Sequence, residues 1–462
     1  MEIELTRAMI TLVMAESQIT KPMEGAARHI VARLRERGHV AYFAGGCVRD
    51  LVLGHVPKDY DIATDATPEA VQKIFPRTYA VGAHFGVIVV LEGDWQFEVA
   101  TFRSDGAYLD GRRPTEVHFA SAEKDAARRD FTINGMFYDP AAEKVIDFVG
   151  GRADLDRRLV RAIGDPAQRF AEDRLRMLRA VRFATTLGFE IEAKTWAALV
   201  ANASAISEIS AERMRDELVK IFLSPQRARG WDLLDASGLM RVVLPELEAM
   251  KGCEQPPQFH PEGDVFKHTR IMIEMLPREV SLPLVFSVLF HDIGKPATYA
   301  VDETGRIRFN GHDRVGAEMT EAVMQRLRFS RAEIDATVEA VRQHMVFKDV
   351  PNMRVAKLKR FMARPTFVDE LELHRVDCAS SHGMLDNYEL LLQKREEFAN
   401  EPIIPPPLVR GDDLIAMGLR PGPRFGEILE AVETRQLEGG FVDRDDALAW
   451  VKTEFFGTDS RG

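Results

Sequence analysis

Two aspartates two residues apart, Asp59 and Asp61, lie in the stretch GGCVRDLVLGHVPKDYDIATD (45–65). Read as part of a strand, whose side chains alternate with period two, they project from one face with Cα atoms about 6.6 Å apart. Two carboxylates so placed can share divalent metals. Gly45 and Gly46 stand ahead of a helix-like VRDLVLG segment, where glycine lets backbone N–H groups approach phosphate oxygens at a helix N-terminus. A lone Asp-x-Asp is most often a solvated strand end, and a lone Gly-Gly is weaker still. Together at this spacing, with Arg49 and Asp50 between them, they describe nucleotidyl transfer assisted by two metals.

Further residues extend that chemistry. Glu98, in QFEVATFR, is an acid on an otherwise apolar strand, either a third metal carboxylate or an exposed strand residue. In ARRDFTINGMFYD (127–139), Arg128, Arg129 and Asp130 precede a helix-like turn containing Asn134. An arginine there can neutralise charge developing on a triphosphate leaving group. The segment AEDRLRMLRAVRF (171–183) reads as a helix with Asp173, Arg176, Arg179 and Arg182 at i, i+3, i+6 and i+9, a slowly drifting stripe. Such a stripe can be a solvated salt-bridge face. It can also read a base, because a carboxylate accepts from an exocyclic amino group while an arginine fork donates to the adjacent ring acceptor. Cytosine and adenine both offer that pair; uracil and guanine offer a carbonyl instead, so rejection would be strong.

The elements that must position these groups follow from periodicity. Residues 24–148 alternate short helices and strands, with GVIVVLEG and QFEVATFR as adjacent antiparallel strands joined at Gly93-Asp94. Residues 149–254 read helical, as do 255–385 after the loop CEQPPQFHPEGD, and 386–462 form a helical tail reached through the proline-rich EPIIPPPLVRG. The tail motif LIAMGLRPGPRFGEIL is either a loop–helix junction or a phosphate contact. The fold class is therefore α+β: one head with an antiparallel or mixed sheet, then all-α segments.

At 462 residues the chain exceeds one ordinary core. No apolar run reaches the roughly 18 residues a membrane span needs, and MEIELTRAMITLVMAES reads as a short helix rather than a signal peptide. Cys47, Cys253 and Cys378 have no metal spacing, which suits a reducing cytoplasm. A net charge of −11 argues against non-specific binding of nucleic acid over the whole surface. Between Arg152 and Arg182, however, nine arginines and no lysines face five acids. That arginine-rich track suits phosphate and planar base contacts.

The motifs GGCVRD, DYDIATD, TFRSDGAYLDGRRP, RRDFTING, RFAEDRLRMLRAVRF and ISAERMRDEL occur in this order over about residues 24–250. Together they resemble the class II tRNA nucleotidyltransferases, the family of CCA-adding enzymes and bacterial poly(A) polymerases. The resemblance implies a polymerase-β-like head followed by neck, body and tail that hold a tRNA acceptor stem. It implies Mg²⁺ on Asp59 and Asp61, and nucleotide contacts from Gly46, Arg49, Arg129, Asp173, Arg176, Arg179 and Arg182. Gly45, Asp130 and Asn134 join the candidate nucleotide site. The reaction implied is addition of CMP, CMP and AMP from CTP and ATP to tRNA 3′ ends, the base being chosen by side chains without a template. Where many relatives read EDPLR this chain reads EDRLR, with Arg174 expected to face away from the base. The loop 104–119 is expected to be mobile and to gate nucleotide entry. Poly(A) synthesis, or addition of only CC or only A, would use the same head.

A second constellation lies in FKHT, LFHDIGKP, FNGHDRVGAE, VRQHMVF and RVDCASS. His268, His291, Asp292, His312, His344 and Asp377 are mixed nitrogen and oxygen ligands suited to one or two divalent ions of unspecified identity. This set resembles the HD phosphohydrolase superfamily, which implies metal-assisted hydrolysis of a phosphoester with Lys295 orienting a phosphate; a retained but inactive fold is the competitor. A hydrolase carrying a degenerate RNA-binding head is the rival of another class. His29, His39, His55, His84, His118, His260, His374 and His382 have no comparable company in the sequence.

Overall fold

The computed structural model describes residues 22–80, 86–106, 117–399 and 402–456. The N-terminal segment read as a short helix and the centre of the expected gating loop, 107–116, lie outside the described residues. The chain divides into two compact units, Met1–Pro245 and Glu246–Gly462.

Among the described residues before 150 the first unit carries nine strands: β1 (Ala41–Ala44), β2 (Asp61–Thr64), β3 (Thr78–Tyr79), β4 (Val87–Glu92), β5 (Trp95–Thr101), β6 (Arg103–Asp105), β7 (Val117–Phe119), β8 (Phe137–Asp139) and β9 (Lys144–Ile146). Seven form one mixed sheet in the order β3-β4-β5-β2-β1-β8-β9, while β6 and β7 pair separately. β2 and β5 run parallel, and the other neighbours in the sheet are antiparallel. The Glu92–Trp95 pairing closes the expected hairpin through Gly93-Asp94. Along β5, Phe97, Val99 and Thr101 are buried while Gln96 and Glu98 are exposed, so the alternation seen in the sequence holds one face against the core.

Two local expectations need correction. Asp59 is not on the strand, because β2 begins at Asp61. Its ladder partner β1 ends at Ala44, opposite Asp61, and the chain then turns at Gly45, leaving Asp59 no partner strand. Nor is 171–183 one helix. One helix, Pro166–Glu172, ends where Asp173 adopts extended backbone (φ −144°, ψ 104°), and the next runs Leu175–Leu187. The Asp173 carboxylate accepts from Leu175 N at 3.1 Å, a local bond by which aspartate competes with helix geometry.

The second unit is built around the helix Leu282–Phe290, whose residues 284–290 are all buried. Each large apolar side chain so buried contributes about 1.5–3 kcal/mol. Helices Val265–Met275, Arg331–Gln343 and Phe367–Ser380 pack against it. Gly294 follows at a close approach to a further helix, His312–Arg326: a Cβ there would lie 2.3 Å from His312 O and 2.6 Å from Gly316 N. Short helices over 411–451 close a separate apolar cluster of Leu414, Ile428, Val432 and Val451. The segments after residue 148 are not purely helical. Two-residue ladders pair Leu159–Val160 with Glu190–Ile191, and Ala300–Val301 with Ile307–Arg308. Such pairs are too short to show alternation in sequence. Among the described residues no helix is long and apolar enough to cross a membrane.

Candidate functional site

In the first unit an open cleft of ≈ 540 Å³ gathers Gly45, Gly46, Arg49, Asp59, Asp61, Arg129, Asp130, Asn134, Asp173, Arg176, Arg179 and Arg182. Every candidate of the head and neck lines it except Glu98. The parallel register Ile62–Val99 nevertheless brings Glu98 abreast of Asp61. The Asp61 carboxyl is pushed up to about 6 by burial among its neighbours, then by the charges of Asp59 and Glu98, against the opposing Arg129. Crowded carboxylates of this kind are relieved by a cation, so the donor set fits a divalent metal. Gly45 precedes helix Gly46–Val52 with φ 74°, a left-handed conformation that glycine adopts without strain.

The arginines are held by acidic and polar partners, of which the sequence reading left Asp125, Glu172 and Glu217 without a role. Buried Asp125 accepts from Arg128 Nη2 at 2.7 Å and Arg129 Nη2 at 3.0 Å. Burial alone would raise its carboxyl, but the two guanidiniums hold it below the ordinary range. Asp130, also buried, accepts from Arg179 at 2.6 Å and from Asn134 at 3.2 Å, while Asn134 Oδ1 accepts from Arg49 at 2.9 Å. Asp130 and Asn134 thus border the cleft with their polar atoms already engaged. Glu217, 3% exposed, accepts from Arg182 and stands 3.9 Å from Arg179. Arg213 donates to Asp173 at 2.7 Å. Arg176 donates to Glu172 and to the carbonyls of Arg169 and Arg128. Phe183 underlies the track, with the guanidinium carbons of Arg49, Arg179 and Arg182 at 5.4, 5.3 and 3.7 Å from its ring centre. Glu217 and Arg213 belong to the quoted ISAERMRDEL motif, so the motif was visible but its pairing was not. Arg174 pairs with Glu208 at 3.1 Å and is absent from the cleft lining, as expected.

In the second unit the six candidate ligands converge from five helix segments. His268 Nε2 lies 3.0 Å from Asp377 Oδ1. His291 Nε2 lies 3.0 Å from Asp292 Oδ2, yet makes no hydrogen bond and is buried. Asp292 Oδ1 is 3.4 Å from His312 Nε2 and 3.9 Å from His344 Nε2. Two groups, His268–His291–Asp377 and Asp292–His312–His344, each have the compactness of a metal site. Electrostatics agree with that use at His312 and His344, whereas His268, against its burial, is pushed up to about 9 by its bonds to Asp377 and Glu262. Burial holds His312 below its usual range and His344 near 4, so both are neutral imidazoles, the form that binds metal. Burial opposes ionisation of Asp292 and Asp377, but His291 and Lys295 beside the first and His268 beside the second outweigh it and hold both carboxyls well down. An orphaned buried imidazole nitrogen beside ionised carboxylates fits a divalent ion.

Lys295 Nζ sits 2.6 Å from Asp292 and 2.7 Å from Gln255 Oε1. The ≈ 410 Å³ cavity above the cluster is also lined by Phe259, Arg306, Arg308, Phe309 and Lys348, a cationic and aromatic rim that the sequence did not suggest. Three histidines read as isolated, His260, His374 and His382, line that cavity. His260 shares Glu262 with His268, and His374 stacks on Phe347 and lines the cavity. Folding brings them in from a loop and a distant helix.

Family models match residues 41–161 ("Poly A polymerase head domain"), 188–251 ("Probable RNA and SrmB- binding site of polymerase A") and 264–376 ("HD domain"). The A-adding tRNA nucleotidyltransferase of Deinococcus radiodurans is 34% identical over 431 residues, covering 89% of this chain and 95% of that protein. The chain belongs to the tRNA nucleotidyltransferase family. Another member, the CCA-adding enzyme of Geobacillus stearothermophilus, is 46% identical over 228 residues, or 49% of this chain and 56% of that protein. The chain thus spans about half the length of such CCA-adding relatives. The crystal structure of the Bacillus stearothermophilus CCA-adding enzyme in complex with CTP superposes with a TM-score of 0.69 at 28% identity, over 93% of this chain and 97% of that one. This member of the family has the expected polymerase-type head, helical body and HD domain.

Proposed function

We propose that the protein adds CMP, CMP and AMP to tRNA 3′ ends from CTP and ATP. The observation that carries this reading is a single cleft lined both by the Asp59–Asp61 acids and by the Asp173–Arg182 group. Asp59 and Asp61, with Glu98 beside them, would hold Mg²⁺, which supplies charge neutralisation at the α-phosphate and acidifies the attacking 3′-hydroxyl. Arg129, fixed by Asp125, and Arg49, fixed by Asn134, face the triphosphate and stabilise the departing pyrophosphate. Asp173 accepts from the exocyclic amine while Arg176 donates to the ring acceptor; Phe183 and the Arg179–Arg182 pair form the floor. The tRNA stem is gripped by shape and phosphate contacts, residues 24–148 acting as head, 149–254 as neck and body, and 386–462 as tail. Three buried free cysteines suit work in the cytoplasm.

In the second unit, the histidine cluster would hold divalent metal for hydrolysis of a phosphoester such as a 2′,3′-cyclic phosphate or a mononucleotide. Lys295 and the Arg306–Arg308 hairpin would receive its phosphate.

A second reading is specifically favoured by the near full-length likeness to an A-adding enzyme, namely that only the terminal A is added. Incubation with tRNA lacking CCA and with tRNA ending in CC, each with labelled CTP, ATP or both, separates the two. CMP incorporation on the shorter tRNA followed by AMP supports complete addition, and label confined to C favours CC addition; AMP incorporation confined to the CC-ending tRNA overturns complete addition in favour of A addition. Long A tracts would favour a poly(A) polymerase, and no transfer on either tRNA would overturn both.

A further inference from the structure

Three histidines of the cluster share one device. His291, His312 and His344 each place Nδ1 against the carbonyl three residues back, at 2.9 Å from Val288 O, 2.8 Å from Phe309 O and 2.6 Å from Val341 O. A carbonyl only accepts, so each ring carries its proton on Nδ1 and turns an Nε2 lone pair inward. His268 has no such carbonyl. It lies inside helix Val265–Met275, where Asp264 O accepts from its own backbone N–H and Val265 O accepts from Thr269 Oγ1. Its Nδ1 meets Glu262 Oε1 at 2.7 Å instead, with Ser380 Oγ farther away at 3.5 Å.

Glu262 stands on the loop ahead of that helix with its side chain 7% exposed, and His260 Nδ1 also contacts Oε1, at 2.9 Å. Its other oxygen is buried without a hydrogen-bond partner. A buried carboxylate left half unpaired is costly in a role of packing alone.

We infer that Glu262 is a positioning residue for the histidine cluster, accepting the Nδ1 proton of His268 so that Nε2, beside Asp377, is left to bind a divalent cation. The inference rests on the metal role proposed for the cluster. It explains why one ligand can sit in mid-helix when the other three sit at helix ends: a carboxylate from outside the helix supplies the acceptor that the helix backbone has already used. Outer carboxylates of this kind orient a ligating imidazole and raise its basicity.

The test is titration of the full-length protein with Co²⁺, read by calorimetry and by the visible absorption that reports nitrogen ligation. Glu262→Met removes the acceptor and should weaken the ion at His268 by about 10–100-fold. Glu262→Gln keeps an accepting oxygen and should recover most of that loss, which a packing role would not predict. In Zn²⁺-loaded protein with ¹⁵N-labelled histidine, the hydrogen-bonded Nδ1 proton of His268 should be present in the parent and in Glu262→Gln, and absent in Glu262→Met. Should Glu262→Met misfold, the Gln variant and Glu262→Asp, with a shorter reach, still decide through the same proton signal, which must persist in the former and weaken in the latter. If His268→Ala leaves Co²⁺ binding unchanged, the metal reading of the cluster falls and takes this inference with it. If His268→Ala weakens binding while Glu262→Met matches the parent, only the inference falls. Loss of a whole equivalent of Co²⁺ in both Glu262→Met and His260→Ala would make Glu262 a direct ligand and overturn its positioning role.

Discussion

The two acidic centres of this molecule handle charge in opposite ways. In the first unit Asp59 and Asp61 line an open cleft with Glu98 abreast on the neighbouring strand, and Asp61 is pushed up to about 6. In the second, Asp292 is buried and Asp377 half-buried among histidines, and both are held well below the usual range. An open oxygen-only site suits a hard cation that keeps water and shares its coordination with substrate phosphates. A buried mixed site suits an ion held chiefly by the protein. The difference teaches that the head site is completed by what it binds, whereas the histidine site is largely complete in its own side chains.

The sharpest way to break this comparison is to remove one centre at a time. Asp59→Ala should lower kcat for CMP incorporation by on the order of 10³-fold, about 4 kcal/mol of transition-state stabilisation, while any hydrolysis persists. His291→Ala should do the converse, removing metal binding in calorimetry and leaving transfer intact. Joint loss in either variant would show that the centres are not independent. Next in size, Asp173→Asn should reduce the preference for CTP over UTP by on the order of 10²-fold, read as a ratio of kcat/KM values. A uniform fall for both nucleotides would instead make Asp173 a structural cap.

Smaller effects sharpen the contrast through stability. Gly294→Ala forces a Cβ into the backbone of helix His312–Arg326 and should cost about 1–3 kcal/mol, read as a lower melting temperature. Gly45→Ala, strained only by its positive φ, should cost about 1–2 kcal/mol. The smallest effect is one of sign. With its folded pKa raised, Asp61 favours the fold below the unfolded value near 4 and loses that contribution as pH rises through about 6. Asp61→Asn should therefore melt slightly higher than the parent above pH 6 in chelator, with the gap closing in acid. Asp125 and Asp130 have the opposite sign. Their arginine partners hold them down, so their contribution is present above about pH 4 and lost as pH falls through their lower folded values. Asp125→Asn should flatten that acid loss in a melting-temperature series.

Much of this was legible in the order of residues. The β4–β5 hairpin follows from alternation and a Gly-Asp turn, and the apolar run 282–290 could only be buried. The Asp59–Asp61 spacing placed two acids together even though only Asp61 is on the strand: Tyr60 between them is buried while both acids are exposed. Asp173 was assigned to a helix because its spacing to Arg176 matched one; its side-chain bond to Leu175 N, which breaks the helix, leaves no mark in periodicity. Glu217 and Arg213 were within sight as residues but not as partners, since each pairs across elements; Asp125 meets Arg128 and Arg129 three and four residues on, a spacing the sequence does show.

The sequence by itself determined which chemical groups are present and which neighbours along the chain share a face, because helix and strand periods are local properties of the backbone. It thereby carried the acid pair, the arginine track and the histidine set. Only the tertiary structure decided which charges meet: Arg213 with Asp173, Glu217 with Arg182, and Glu262 with His268. Those pairings span 40, 35 and 6 residues, and whether separate elements converge depends on how their buried faces pack. An ion pair acts over a few ångströms of space, and spacing along the chain does not measure that distance.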